Sequence, residues 1–305
     1  MVRSLAVIVL AAAAGWLAFP SQCRAQAADA DTGADRRFER VCLYFTDQRA
    51  LDTCTALIDK TPDDRKRADY HYRRGWIYYF KQECDLSIAD LTEAIRLDPS
   101  HQKSIQLRGS QWRSCKDDND RAIADFSSVI RLAPTSENYW LRGDTYRRKG
   151  DFARALADFN EAIRINPKDA QSYDSRGILY RDRGDYRSAF ADLDQAIQLE
   201  PTSMHYASRG SIWRASGDLV RALADQDMAV SLGTQTKEAF AFTSRGDTLR
   251  YMGEYARAQA DYDKALEFAP NFIAAWTGKG LTFEKMGDIA KASAAFEKAA
   301  TLQWV

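Results

Sequence analysis

Small and apolar residues recur along this chain at spacings of three and four, which is typical of amphipathic α-helices. In the clearest segment, Tyr139, Gly143 and Tyr146 lie on one face of a first predicted helix. Gly150 then interrupts the pattern, since glycine accepts the left-handed conformation that ends a helix. The stripe of a second predicted helix follows: Ala155, Phe159, Ala162 and Ile163. Pro167 ends the segment because proline cannot continue a helix interior. The pattern therefore predicts a helical hairpin.

The hairpin pattern repeats along nearly the whole chain, and an Arg-Gly dipeptide marks most copies. The glycines of these dipeptides, followed by that of a final Lys-Gly, are spaced 34, 34, 34, 33, 36 and 34 residues apart. A fixed period of this size indicates stacked units, each of which covers the apolar face of its neighbour. We therefore predict an all-α solenoid of about eight stacked antiparallel helix pairs. The predicted units are about 36–66, 67–100, 101–135, 136–168, 169–202, 203–236, 237–271 and 272–305.

These residues resemble the tetratricopeptide repeat family. One unit matches the family's repeat position by position with Tyr139, Gly143, Tyr146, Ala155, Phe159, Ala162 and Pro167. The sixth unit departs from the pattern, because Gln226 replaces a usual apolar residue and Thr234 a usual proline. We expect these changes to weaken the stack there. The resemblance implies a right-handed superhelix and, as a family tendency, binding of a protein or peptide.

The first residues are typical of an export signal. A short positive start at Arg3 precedes an apolar run at 5–19, and small residues surround Gln26. We predict a signal peptide at 1–27, cleaved after about Ala27, and a short flexible linker at 28–35. The mature protein would then be periplasmic or secreted. An uncleaved membrane anchor and a lipid on Cys23 are the alternatives.

Four cysteines stay in the mature chain, and an even number in an exported protein favours disulfides. Cys42 and Cys54 lie on the two arms of one short predicted hairpin, so they can face each other. Cys84 lies near the start of one predicted helix and Cys115 near the end of the next, at ends that meet when hairpins stack. We predict the bonds Cys42–Cys54 and Cys84–Cys115. Four reduced, buried thiols in a cytosolic protein are the alternative.

A ladder of structural ion pairs is predicted from the Arg-Gly dipeptides. Each unit that has the dipeptide also has an aspartate in its second helix, whereas the last unit has Lys279 and Ala295. This joint loss of both partners indicates ion pairs, either within one unit or between neighbours. The arginines are Arg74, Arg108, Arg142, Arg176, Arg209 and Arg245. The aspartates are Asp90, Asp125, Asp158, Asp192, Asp225 and Asp261.

A second arginine series and an aromatic cluster are the predicted binding residues. An arginine stands four residues after the glycine in five units: Arg113, Arg147, Arg181, Arg214 and Arg250. In the family this helix face lines a concave groove, where guanidinium groups could bind carboxylates of an extended peptide. A solvated ladder, partly neutralised by Asp144, Asp174 and Asp247, is the alternative. At the N-terminal end, aromatic residues form either a binding site or core contacts: Tyr72, Trp76, Tyr79 and Trp140.

Composition and charge narrow the function. The 305 residues include 43 basic and 43 acidic side chains, so no net charge attracts nucleic acid. Three histidines occur without a metal-binding spacing, and no phosphate loop or nucleophile elbow is present. We therefore predict a non-catalytic scaffold without cofactor or metal, whose partner is a protein or peptide with acidic groups.

Two other functions are alternatives to this scaffold. The chain could dock on a membrane complex through one end or its convex face, or bind a small molecule or glycan at the aromatic cluster. The apolar end at Trp304-Val305 suggests pairing with another copy or another protein, since terminal repeats normally need a polar outer face; a frayed but soluble end is the alternative.

Overall fold

The structure is a computed structural model, which describes residues 40–42, 46–236 and 238–302. The predicted signal peptide and linker, and the terminal Trp304 and Val305, lie outside these residues. Every regular element within them is a helix, and no helix over these ranges combines the length and apolar character that a bilayer crossing needs. The helices are α1 (Gln48–Lys60), α2 (Asp64–Phe80), α3 (Cys84–Leu97), α4 (Gln102–Cys115), α5 (Asn119–Leu132), α6 (Ser136–Arg148), α7 (Phe152–Ile165), α8 (Ala170–Asp182), α9 (Tyr186–Leu199), α10 (Ser203–Ala215), α11 (Leu219–Thr236), α12 (Ala239–Tyr251), α13 (Tyr255–Phe268), α14 (Ile273–Lys285) and α15 (Ile289–Leu302).

The helices from α2 onward form seven hairpins, each a first helix packed on the second helix that follows it. Each second helix also packs on the first helix of the next hairpin, so the hairpins stack in chain order. First helices of neighbouring hairpins contact each other more than second helices do. The first helices therefore lie on the inner, concave side of the stack. This architecture confirms the predicted all-α solenoid.

Short turns join the two helices of each hairpin, and most of these turns depend on glycine. Gly150 has a φ of 81°, in the left-handed region, and the turns of the four later hairpins have a glycine with similar φ. The first two hairpins place Gln82 (φ 60°) and Asp117 (φ 48°) in this conformation instead. A residue with a Cβ atom is disfavoured there by roughly 1–2 kcal/mol. These two turns are therefore less favourable than the later ones.

Two disulfides lie in the N-terminal part of the stack. The bond Cys42–Cys54 is buried and joins Cys42 to Cys54 on α1. The bond Cys84–Cys115 joins the start of α3 to the end of α4, and its Cys115 is exposed. This second bond therefore connects the two turns that lack a left-handed glycine.

Small residues let the helices of a hairpin approach closely. A Cβ atom on Gly143 would lie 2.9 Å from Cε1 of Phe159, whose side chain is fully buried. Ala155 and Ala162 are fully buried on the same second helix. Because protein interiors are close-packed, larger side chains at these positions would push the helices apart.

The hairpin of α10 and α11 departs from this packing. Gln226 is fully buried, and its Nε2 donates a hydrogen bond of 3.4 Å to Oγ of Ser244. Its Oε1 has no hydrogen-bond partner in the described part of the chain, which costs about 1–3 kcal/mol for a buried group. Helix α11 also continues for 18 residues to Thr236, since no proline ends it earlier.

Candidate binding groove

The arginines of the Arg-Gly dipeptides hold each hairpin together. Nε and Nη2 of Arg142 on α6 each donate to a carboxylate oxygen of Asp158 on α7, both at 2.8 Å. Asp158 is buried, and the hydrogen bonds to it raise the pKa of Arg142. Five other hairpins have the same arrangement at 2.7–2.9 Å: Arg74–Asp90, Arg108–Asp125, Arg176–Asp192, Arg209–Asp225 and Arg245–Asp261. The structure thus places both partners of each pair within one hairpin, a choice that the sequence left open.

Each of these arginines also reaches the second helix that precedes its own hairpin. Nη1 of Arg142 donates to Oγ of Ser127 on α5 at 3.1 Å. The ring centroids of Tyr139 and Tyr146 lie 5.7 and 5.9 Å from its Cζ, so aromatic faces enclose the guanidinium. Equivalent Nη1 hydrogen bonds go to Thr55, Thr92, Asn160, Asp194 and Asp227. Each arginine therefore connects neighbouring units and has few donors left for a ligand.

The last hairpin lacks this bidentate pair. Lys279 on α14 forms an ion pair with Asp263 on the preceding α13. Ala295 occupies the place of the aspartate on α15 and is buried. This hairpin is thus joined to its neighbour through Lys279 but has no equivalent pair between its own two helices.

The second arginine series lies at the C-terminal ends of the first helices, and part of it surrounds one carboxylate. Asp144 on α6 is 7% exposed and accepts hydrogen bonds from Arg147 at 2.7 Å, Arg113 at 3.1 Å and Arg148 at 3.2 Å. Burial opposes ionisation, but the charges of the three guanidinium groups hold the pKa of Asp144 below its usual value. Arg113 comes from the preceding hairpin, so this cluster joins α4 to α6.

Arg181 and Arg250 also lie beside carboxylates. Nη2 of Arg181 donates to Asp182 at 2.8 Å, and its Nη1 donates to Oγ of Ser211 in the next hairpin at 2.9 Å. Nη2 of Arg250 lies 3.7 Å from Oδ1 of Asp247. The Arg250 side chain is only 12% exposed. These two arginines are therefore partly or largely committed to contacts within the protein.

Arg214 differs from the other four groove arginines. Its hydrogen bonds reach neutral oxygen atoms of the next hairpin, the Ser244 carbonyl at 3.1 Å and the Thr248 hydroxyl at 3.3 Å. The ring centroid of Tyr251 lies 5.9 Å from its Cζ, and that ring is 62% exposed. Within the described ranges, Arg214 is the groove arginine that has no carboxylate partner.

Asp174 on α8 is buried and faces α10 of the next hairpin, with Arg181 and Arg147 exerting weaker effects on its charge. It is 5% exposed, and its Oδ1 has no hydrogen-bond partner in the described ranges. Burial raises the pKa of its carboxyl group to about 6, against the opposing effects of His205 and Ser208 in the next hairpin. Asp144 and Asp174 occupy different positions of the repeat and are both buried. The sequence could not show that three arginines surround Asp144 while His205 and Ser208 of the next hairpin face Asp174.

The aromatic residues at the N-terminal end divide between core and surface. Trp76 packs against the buried cluster that contains the first disulfide, and its ring centroid lies 4.2 Å from that of Phe80. The ring of Tyr72 lies 5.4 Å from that of His101, and burial raises the pKa of its hydroxyl group. Tyr79 and Phe80 are 39% and 56% exposed. Among the aromatic residues that the structure describes at this end, Tyr79 and Phe80 offer the substantial surface to solvent.

Trp140 joins two neighbouring hairpins. Its ring packs against buried clusters formed by both α4–α5 and α6–α8 residues, and its Nε1 donates to Oγ of Ser175 at 2.8 Å. Since both the ring and its polar atom are occupied, Trp140 acts mainly as a structural contact.

A cavity of about 280 Å³ opens in the groove across α10, α12 and α14. Its apolar walls include Met204, Phe240 and Phe272. Its polar lining consists of Ser208, Ser211, Thr243, Ser244 and Asp247. Sequence reasoning missed this cavity, although a signal was present. In the two consecutive units that begin with α10 and α12, small or hydroxyl residues occupy the positions three and two residues before the glycine of the Arg-Gly dipeptide.

The histidines and acidic residues offer no metal centre. Within the described ranges, no group of three or more His, Cys, Asp or Glu side chains could hold a metal ion. His71 lies 2.8 Å from Asp90, a member of an Arg-Asp pair. His205 Nδ1 lies 2.6 Å from a backbone carbonyl.

The fold and the groove define an α-solenoid of stacked helical hairpins. Family models of the tetratricopeptide repeat match residues 68–101, 141–212, 239–272 and 273–303, which together make up more than half of the chain. The chain belongs to the tetratricopeptide repeat family, as its resemblance implied. Such repeats support a role as a protein–protein interaction scaffold.

Several solved structures have a similar fold. A tetratricopeptide repeat protein from Parabacteroides merdae is 20% identical, with a TM-score of 0.71 over 81% of this chain and 99% of that one. Yeast Tom70 is 18% identical, with a TM-score of 0.66 over 91% of this chain and 62% of its own. Cut9–Hcn1, an APC/C hetero-tetramer, is 16% identical, with a TM-score of 0.61 over 81% of this chain and 51% of that one. At these identities the likeness shows the fold alone. No curated protein matches the sequence.

Proposed function

We propose that this protein holds an extended segment of a partner protein in its concave groove. The observation that carries the proposal is the cavity across α10, α12 and α14, because it combines apolar walls with hydroxyl groups that can bind a peptide backbone. The groove arginines add positive charge along the same side, which favours a partner with acidic groups.

We further propose that binding is the whole activity. The described histidines are engaged with carboxylates or a carbonyl, and the clustered aspartates are neutralised by arginines. A general base needs an accessible titratable group near its substrate. The groove lining contains Asp247, but Tyr262 and Arg250 already surround its carboxylate.

The site of action that we propose is the cell envelope. The export-like N-terminus supports this proposal, and so do the two disulfides, since disulfides persist in oxidising compartments. We also propose that the C-terminal end associates with another chain.

Photo-crosslinking in cells tests the location of the partner. A photoreactive amino acid is placed at Ser211, which lines the cavity, or at Gln198, which is exposed on the second helix α9. We expect one dominant crosslinked protein from Ser211 and little from Gln198. Crosslinks from Gln198 alone would place the partner on the convex side and contradict the groove. Fractionation of the same cells reports whether the chain and its partner are in the envelope.

A further inference from the structure

We infer that the groove at α10 and α12 selects a partner segment with an apolar side chain and an Asp or Glu side chain about four or five residues apart. This inference rests on the proposed groove function and specifies its chemistry. The apolar side chain would enter the cavity, and the carboxylate would bind Arg214.

The charge around Arg214 carries the first half of the inference. Groove carboxylates of the two flanking hairpins are already engaged, because Asp182 accepts from Arg181, and Asp247 accepts from the Tyr262 hydroxyl at 2.8 Å beside Arg250. Arg214 donates only to neutral oxygens and therefore keeps an uncompensated charge in the described structure. A guanidinium group with free donors binds carboxylates strongly and directionally.

The shape of the cavity carries the second half. Met204, Phe240 and Phe272 come from three successive hairpins and form an apolar wall. Met204 is 40% exposed, so the apolar surface is accessible. An apolar anchor in such a pocket is the usual source of binding energy at an interface. The hydroxyl groups between this wall and Arg214 can bind the peptide backbone of any sequence.

The helix geometry fixes the distance between the two sites. Met204 and Arg214 stand ten residues apart on α10, which is about 15 Å along the helix axis. An extended chain advances about 3.3 Å per residue. A segment that lies along α10 therefore spans this distance with roughly four or five residues. We assign the carboxylate to an Asp or Glu side chain within the segment, the form that a library of peptides without free ends tests.

A peptide library tests the inference directly. Random twelve-residue peptides, displayed with both ends fused so that no terminal carboxylate is free, are selected on the mature chain. We expect enriched peptides to share an apolar residue and an acidic residue at the stated spacing. An amidated, fluorescein-labelled consensus peptide is then titrated by fluorescence anisotropy.

Charge reversal provides the decisive comparison. We expect Arg214→Glu to weaken binding of the consensus peptide at least tenfold, and a peptide with Lys in place of the acidic residue to recover at least tenfold on this variant. The matched control is Arg131→Glu, since Arg131 is exposed on α5 and also donates only to a neutral hydroxyl. Circular dichroism checks that each variant is folded. If Arg214→Glu does not fold, Arg214→Gln is tested in its place.

The groove itself is blocked with Ser211→Trp. Peptides that lose binding with Ser211→Trp but not with Arg214→Glu would overturn the inference and leave the proposed groove function intact. Peptides that bind Ser211→Trp as well as the unchanged chain, or the absence of any enriched peptide, would overturn both.

Discussion

Replacing Asp158 by alanine is the sharpest test of how the solenoid is held together. The change removes the two carboxylate oxygens that accept from the Arg142 guanidinium, which is 21% exposed and enclosed by two tyrosine rings. Only the hydrogen bond to Ser127 stays. Breaking a buried ion pair by removing one partner costs about 3–5 kcal/mol. Since a fifth of Arg142 reaches water, we expect a loss of about 3 kcal/mol in the free energy of unfolding.

The assay is urea unfolding followed by circular dichroism at 222 nm. Asp120→Ala is the matched control, because Asp120 is 77% exposed and pairs with Lys149 on the surface. Exposed pairs of this kind contribute about 0–1 kcal/mol. Replacing both Arg142 and Asp158 by apolar residues should cost less than Asp158→Ala alone, since no charge is then left buried.

Two results would refute the reasoning. Equal losses for Asp158→Ala and Asp120→Ala would mean that the buried pair contributes no more than a surface pair. A double replacement that loses the sum of its single losses would mean that Arg142 and Asp158 act independently. Since hairpins of a solenoid can unfold separately, hydrogen exchange in α5, α6 and α7 is measured alongside, and faster exchange is expected there first.

Three further substitutions test other features. Gln226→Leu should stabilise the chain by about 1–2 kcal/mol in urea unfolding, because it removes a buried amide oxygen that has no described partner; a loss of stability would contradict this. Gln82→Gly should stabilise by about 1 kcal/mol because φ is 60° there, whereas an unchanged midpoint would show that the turn is not strained. The folded pKa of Asp174 is raised to about 6, so the stability that its protonation contributes is present below the usual pKa of 3.8 and is lost as the pH rises through about 6. Asp174→Asn should therefore raise the Tm at pH 7.5 and change it little near pH 4, and an equal effect at both pH values would argue against burial of the charge.

Much of the fold was predictable because local spacing encodes it. A residue such as Gly143 must be small wherever two helices cross, so its recurrence along the chain reveals the period of the hairpins. The Arg-Asp pairs were predictable for a similar reason, since Lys279 and Ala295 change together in the last unit. The sequence could not say whether these pairs lie within or between hairpins, because both arrangements have the same period.

The candidate site depended more on tertiary structure. Arg113, Arg147, Arg181, Arg214 and Arg250 are equivalent in the sequence, yet four lie beside carboxylates and Arg214 does not. Among these described pairs, Arg113 alone takes its carboxylate from a neighbouring hairpin, since Asp144 lies 31 residues away. Arg147, Arg181 and Arg250 pair with an aspartate within three residues on their own helix. The matching positions around Arg214 are Ser211 and Ala215, so its lack of a local carboxylate was visible in the sequence. Burial opposes ionisation of both Asp144 and Asp174, but Arg147 on the same helix, together with Arg113 and Arg148, holds the pKa of Asp144 below its usual value, whereas burial raises the pKa of Asp174.

The amino-acid sequence alone therefore determined the helices, their pairing into hairpins and their stacking order, since each follows from contacts between residues close in the chain. Only the tertiary structure decided which charges are compensated and where the groove contains a cavity. Burial, and ion pairs between hairpins such as Arg113 with Asp144, depend on the neighbouring hairpin in the stack, whose side chains no spacing rule within one hairpin can place.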